Sequence, residues 1–217
     1  MRRDVGYVVD VGSPAFVQAL DDAVVAIMAE HFSPTEIAAL LESAVAIIRA
    51  EVEALPKAVA TFHPGEDEWS VNEVIGHLIE AERRGFAGRI KNLLATKDPQ
   101  LEGWDQNEVA RGRRDDMKPT AKLVAELERM RTESVALVRG LKPGDLTRGG
   151  QHPKVGWLRV EDLLQEWVYH DRNHLKQILG NTQAWAWPHM KRVVIVGAVH
   201  RKIKIAQVAR DLEVSRS

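Results

Sequence analysis

Trp167-Val168-Tyr169-His170-Asp171-Arg172-Asn173-His174-Leu175-Lys176-Gln177-Ile178 reads as one stretch of amphipathic helix carrying two histidines four residues apart. Four residues of α-helix turn about 400° and rise about 6 Å, so the two imidazoles project from neighbouring turns of one face. Neutral imidazole is the commonest protein ligand for divalent transition metals, and two such rings can converge on one ion. A third nitrogen has to come from elsewhere. His77, on another predicted helix, is the candidate.

Working outward, the apolar residues Val160, Leu163, Leu164, Trp167, Val168, Leu175 and Ile178 repeat at helical spacing and predict a helix over about 160–179, stopped by Gly180-Asn181. Upstream, Ser33-Pro34-Thr35-Glu36 is a capping box with Pro at the first helical position, followed by Ile37, Leu40, Leu41, Ala44, Ile47 and Ile48 until Pro56. Ser70-Val71-Asn72-Glu73 is a second capping box, opening a helix expected to run unbroken to Leu94. A third long helix is predicted over about 120–141, with Leu123, Leu127, Met130, Leu137 and Leu141 as its core positions. Four long amphipathic helices without a competing strand signal predict an all-α bundle. Gly149-Gly150-Gln151-His152-Pro153 reads as a turn leading into the last helix, and the polar stretch 96–119 as a functional or mobile loop. The expected organisation is an N-terminal extension with a short helix (1–32), the bundle (33–190) and a C-terminal extension (191–217). Within that last part Val193 to Val199 reads as an edge strand or buried helix, and 205–215 as an amphipathic tail helix.

Composition narrows the chemistry. The 217 residues carry 30 basic and 31 acidic side chains, a balance that gives no general drive toward nucleic acid or anionic membrane. With no cysteine, disulfides, thiolate metal sites and a cysteine nucleophile are excluded, and any metal must take nitrogen and oxygen ligands. No signal-like or membrane-spanning run is found, so a cytoplasmic protein is expected. The basic run Arg111-Gly112-Arg113-Arg114 is followed at once by Asp115-Asp116, which argues for a solvated loop over a phosphate or nucleic-acid patch.

The histidines have bland readings too. On a helical projection His77 points roughly 160° from its helix's apolar stripe, where a surface or boundary residue is usual. H-x-x-x-H lacks the glutamate of H-E-x-x-H, so a zinc-protease reading has no general base. Asp171 projects into the middle of the last helix's apolar stripe, where a carboxylate is costly unless paired. It either fixes an imidazole as its hydrogen-bonded support, or forms a buried ion pair with an arginine or a local helix-end contact. His63 and His152 read as solvated loop residues, Glu73 and Glu80 as exposed residues that could approach a metal beside His77, and Tyr169 and Trp157 as packing or capping the bundle. The cluster Trp185-Ala186-Trp187-Pro188 reads as a hydrophobic plug.

The order of Trp69-Ser70-Val71-Asn72-Glu73-Val74-Ile75-Gly76-His77-Leu78 with Glu82-Arg83, the Gly149–His152 lead-in, and Trp167 to Ile178 resembles the DinB/YfiT-like superfamily over roughly residues 33–190. The resemblance implies a four-helix bundle whose second helix gives one histidine and whose last gives two. By position these are His77, His170 and His174, holding a divalent metal, commonly nickel or zinc, often in a homodimer. One departure is Arg159, standing where a Thr or Ser cap usually opens the last helix. The expected function is a metal-dependent enzyme activating a water or a low-molecular-weight thiol for hydrolysis or S-transfer on a small molecule. The alternative is a non-catalytic metal or small-ligand binding protein, and a third reading is a structural dimer whose histidines only pack.

Overall fold

The computed structural model describes residues 31–187, with Pro14 and Gln18 alone before them. The N-terminal arm and short helix, the run 193–199 and the tail helix expected from the sequence lie outside the described residues. Helix α1 (Pro34–Glu53) is followed by a single turn, α2 (Lys57–Ala60), and by α3 (Val71–Glu80). A wide π-type turn (Ala81–Gly85) then leads into α4 (Ala87–Ala95). After α5 (Gln106–Arg113) and a 3-10 turn (Asp115–Met117) come α6 (Thr120–Arg139) and the short α7 (Pro143–Leu146). Strands β1 (Gly149–His152) and β2 (Gly156–Arg159) form an antiparallel hairpin that feeds α8 (Val160–Ala186). The bundle is α1, α3 with α4, α6 and α8. Its long helices pack as α1 on α6 and α8, and α3 on α6 and α8.

The sequence signals account for most of these ends. Ser70 accepts from Glu73 N–H while the Glu73 carboxylate takes Ser70 N–H at 2.8 Å, the reciprocal box that starts α3. Arg159 cannot accept a backbone hydrogen bond. In its place Asp162 reaches back to Arg159 N–H at 2.9 Å and also binds its guanidinium, so α8 opens without a Ser or Thr cap.

Several expectations are corrected. The helix from Ser70 is not continuous to Leu94: it breaks at the π-type turn and re-forms at Ala87. Gly88 belongs to that break, because a Cβ there would lie 2.1 Å from the backbone oxygen of Arg83. Gly88→Ala is expected to cost about 1–3 kcal/mol, as overpacking against backbone does, read as a drop in urea midpoint at unchanged slope. An unchanged midpoint would show that the turn relaxes freely.

The glycine-rich lead-in is a strand and not a simple turn. A Cβ on Gly149 would sit 2.5 Å from the Trp157 indole nitrogen, and one on Gly150 2.6 Å from Pro99 O. These glycines admit close neighbours, which is why the strand carries none of the β-branched residues that usually announce one. The stretch 96–119 is likewise ordered. Asp105 caps α5 by accepting from Asn107 N–H and Glu108 N–H, and Asn72 of α3 donates to Asp115 O and Lys118 O. Arg113 binds Asp115 at 2.6 Å and Glu80 at 2.7 Å, which ties up the basic run in acid pairs.

The core has two apolar halves. One gathers around Trp167 and Phe86 with Ile37, Leu41, Ile90 and Leu163, the other around Ile75, Leu78, Leu123, Leu127 and Ile178. A buried polar layer lies between them along each helix. Arg131 of α6 donates to Glu82 at 2.6 Å, to Leu41 O at 3.0 Å and to Asp171 of α8, and Ser134 donates to Glu82. The buried side of α6 is therefore Leu123, Val124, Leu127, Arg131, Ser134, Val135 and Val138, while Met130, Leu137 and Leu141 are only partly buried. The tryptophan cluster is not a buried plug: Trp185 meets Phe62 edge to face at 5.2 Å, yet Trp185 and Trp187 are both exposed. Tyr169 is exposed as well, and Trp157 covers Gly149.

Candidate metal centre

His77 comes from the last turn of α3, and His170 and His174 from successive turns of α8. Packing of α3 on α8 brings the three rings together: Nε2 of His77 lies 2.9 Å from Nε2 of His170, and ring centres are 4.5 Å apart for His77–His174 and 4.4 Å for His170–His174. One ring nitrogen from each residue falls within 4.8 Å of the other two. His77 is not peripheral. It is 5 % exposed, because its side of α3, polar in projection, is roofed by Trp104 on the segment that precedes α5, with rings stacked at 5.6 Å. Trp69 and Phe86 close further sides of the cluster.

The rings suit a divalent cation. Burial first, then the neighbouring His174 and His170, push the His77 pKa down to about 3, and burial with His170 pushes His174 down to about 4. Both rings are therefore neutral, with a free lone pair, at physiological pH. Nδ1 of His174 is 2.9 Å from Gln177 Oε1, so Nδ1–H donates there and Nε2 keeps the lone pair. Nδ1 of His77 and of His170 are buried without hydrogen-bond partners among the described residues, so none of those residues commits either ring by its far side. The Nε2 atoms of His77 and His170, 2.9 Å apart, are close enough for both to reach one ion through metal–imidazole bonds of about 2.0–2.1 Å. The residues fit the group.

Of the readings of Asp171, the structure shows the ion pair with an arginine. Its Oδ2 takes the Arg131 guanidinium, while Oδ1 lies 3.9 Å from His170 Nδ1, beyond hydrogen-bond range. Burial raises the Asp171 pKa, but Arg131 and the other contacts outweigh it and hold the carboxyl below its ordinary value. Glu73 serves the α3 cap and faces His63 at 3.4 Å, and Glu80 is buried among Arg83, Arg84 and Arg113. Neither carboxylate belongs to the cluster. His63 is exposed as expected, held at 3.0 Å by Glu68 O. His152 departs from expectation: it is buried beneath Arg89, whose Nη2 is 3.1 Å from its Nε2.

A cavity of about 380 Å³ opens onto the cluster, lined by His77, His170, Phe86, Trp104, Arg89, Lys154, Glu166 and Asp105 among others. Glu166 is not among the residues that the sequence motifs single out, yet Glu166, His170 and His174 are spaced by four along α8, so the carboxylate stands one turn before the first histidine on the same face.

A helical bundle that converges three imidazoles beside a small polar cavity is an arrangement able to hold a metal ion. The chain belongs to the DinB superfamily, whose family model matches residues 40–178. Over 119 residues it is 24% identical to a protein named "putative metal-dependent hydrolase" from Oceanobacillus iheyensis, covering 55% of this chain and 68% of that one. A protein of the same name from Bacillus mycoides is 22% identical over 119 residues, with the same 55% and 68% coverage. Among solved structures it is similar to YfiT from Bacillus subtilis, described as "a probable metal-dependent hydrolase with an unusual four-helix bundle topology". That match has a TM-score of 0.66 at 21% identity, over 73% of this chain and 92% of YfiT. A protein from Clostridium difficile 630 matches with a TM-score of 0.55 at 10% identity, over 70% and 97% of the two chains. These structural likenesses establish the four-helix bundle. No helix among the described residues is long and apolar enough to cross a membrane.

Proposed function

We propose that the chain is a metal-dependent hydrolase of small molecules, with His77, His170 and His174 as the ligands of one divalent ion. The observation that carries this reading is the convergence of the three rings, of which His77 and His170 line a cavity that also holds Glu166, a carboxylate without a bonded partner among the described residues. A nitrogen-only donor set favours nickel or zinc over magnesium or calcium. Such an ion, on three neutral ligands, keeps its full charge and open positions, and supplies Lewis-acid polarisation together with a lowered pKa for water.

The chain's own groups do the rest. Glu166 is exposed on the cavity lining and forms no hydrogen bond or ion pair among the described residues. At a carboxylate oxygen it takes one proton from the attacking water as the new O–C bond forms. It returns that proton to the leaving atom as the scissile bond breaks, so acid, base and substrate balance over the cycle. Trp69, Trp104 and Phe86 hold the rings in place and keep bulk water from their faces. Hydrolysis is preferred to thiol transfer because the named relatives are called hydrolases and because a free carboxylate is the group a water nucleophile needs.

Metal analysis of reconstituted protein tests the ligand set. Wild type is expected to hold one ion per chain. Each single His→Ala variant should weaken binding by at least about 100-fold, more than the loss of an outer hydrogen-bonding partner usually does. Stoichiometric metal in the His170→Ala/His174→Ala double variant, with its helical circular dichroism intact, would sink the assignment. In a screen of esters and amides with loaded enzyme, Glu166→Gln should lower kcat by about 10²–10⁴-fold at unchanged metal content. An unchanged kcat would remove Glu166 from the proton path.

A further inference from the structure

The cavity beside the histidines carries charges that the proton path leaves unused. Arg89 of α4 and Lys154 of the hairpin turn both reach its lining. Arg89 is half-buried and has no carboxylate within ion-pair distance among the described residues. Its Nη2 donates to Glu102 O at 3.0 Å and contacts Nε2 of His152 at 3.1 Å, and its Nε is buried with no partner. Both contacts are to neutral groups. They fix the plane of the guanidinium and leave it without a bonded counter-ion among the described residues, and Glu166 offsets its charge only through space. Lys154 is exposed, and its ammonium forms no hydrogen bond or ion pair among the described residues.

The acidic groups of the same cavity offset this pair only through space. Asp105 spends Oδ1 on Asn107 N–H and Glu108 N–H as the cap of α5, and its charge acts on Lys154 without a bond. Glu166 stands on α8 with His170, and is felt by Arg89 only as a charge at a distance, without a bond. The cations thus belong to α4 and the hairpin, and the carboxylate and imidazoles that would work on a scissile bond belong to α8 and α3.

We propose that Arg89 and Lys154 form a subsite for an anionic oxygen group of the substrate, a carboxylate or a phosphate, which fixes the molecule by one end while the bond to be cleaved lies beside the histidines. A planar guanidinium meets either group through two parallel N–H···O bonds, and a lysine adds a movable point charge. At about 380 Å³ the cavity is at the small end of ligand sites, which selects a compact molecule over a polymer. The inference rests on the hydrolase reading for its claim that the occupant is a substrate, but the charge preference it predicts is a binding property that needs no turnover.

The test uses hippurate and phenyl phosphate as probes, each against its uncharged counterpart, hippuramide and phenol. Binding to the full chain is measured by calorimetry or ligand-observed NMR at low salt, on metal-free and metal-loaded samples whose metal content is determined. Wild type should bind at least one anionic probe about tenfold more tightly than its counterpart, and the probe that shows the preference identifies carboxylate or phosphate. Arg89→Gln and Lys154→Gln should each lose several-fold of that preference and the double variant all of it, with the neutral probes unaffected. Arg89→Lys, which keeps the charge, should retain part. Lys154 is exposed, so its variant reports even if substitution at Arg89 disturbs folding. Equal binding of charged and neutral probes by wild type, or a preference that survives in the double variant, overturns the subsite. A preference in protein that takes up no metal supports the subsite and defeats the hydrolase reading; metal uptake without preference does the reverse.

Discussion

Arg131→Met is expected to destabilise the fold by about 3–5 kcal/mol, the range for removing one partner of a buried ionic group. Arg131 is 3 % exposed and is held between Glu82 and Asp171, themselves 1 % and 2 % exposed. Without it, two carboxylates stay in the core with Ser134 as the remaining donor, and Oδ1 of Asp171 already lacks one. Burial has raised the Glu82 pKa even with Arg131 in place, so in the variant both acids would be driven to take up protons. Against a total stability of about 5–15 kcal/mol the loss is large, and urea unfolding at neutral pH measures it. A loss below about 1 kcal/mol would show that the layer is hydrated. The companion variant Glu82→Leu/Arg131→Met/Asp171→Leu should recover most of the stability, since it removes the charges together with their desolvation cost.

Acid should weaken the metal-free protein before its carboxylates titrate. His77 and His174 have folded pKa values of about 3 and about 4, below the ordinary 6.5. Between those values the unfolded chain binds more protons than the folded one, so stability falls as pH drops through 6.5 and continues to fall toward 4 and 3. From pH 7 to pH 5 each histidine contributes a loss of about 2 kcal/mol, or about 4 kcal/mol together as a ceiling for rings that repel one another when charged. Urea titrations at the two pH values read the difference directly. A His77→Gln/His174→Gln variant should flatten the slope, and an equally steep slope in that variant would place the acid sensitivity elsewhere. Bound metal should protect the fold, because an ion and a proton compete for the same lone pairs.

The bundle was legible in the sequence because its helices announce themselves through caps and apolar spacing. The family context supplied the histidine set. What single-helix projection could not supply was the roof over His77. The face of α3 that looks polar is covered by a segment more than twenty residues downstream, and only the tertiary fold brings Trp104 onto it. Arg131 is hidden for a related reason. It occupies a core position of α6 where an apolar residue is the usual choice, and its carboxylate partners come from the π-type turn after α3 and the middle of α8. Asp171 was visible as an anomaly without its explanation. The hairpin was hidden because its first strand is built from glycines that make room for Trp157 and Pro99, where β-branched residues would have signalled a strand. Glu166 is legible by its spacing of four from His170, but an exposed glutamate on a helix is common enough that spacing alone does not set it apart.

The π-type turn after α3 has a consequence for angular phase. Twelve residues separate His77 from Arg89, and on an unbroken helix at about 100° per residue their side chains would diverge by about 120°. A π-type turn absorbs one residue beyond the usual count, so the separation behaves as eleven and the divergence shrinks to about 20°. The extra residue thus works as a phase corrector, turning a guanidinium three turns away toward the same opening as the imidazole. A one-residue deletion within Ala81–Gly85 should therefore straighten the rod while leaving both groups in step. Adding one residue in the straight part of either helix would throw them apart.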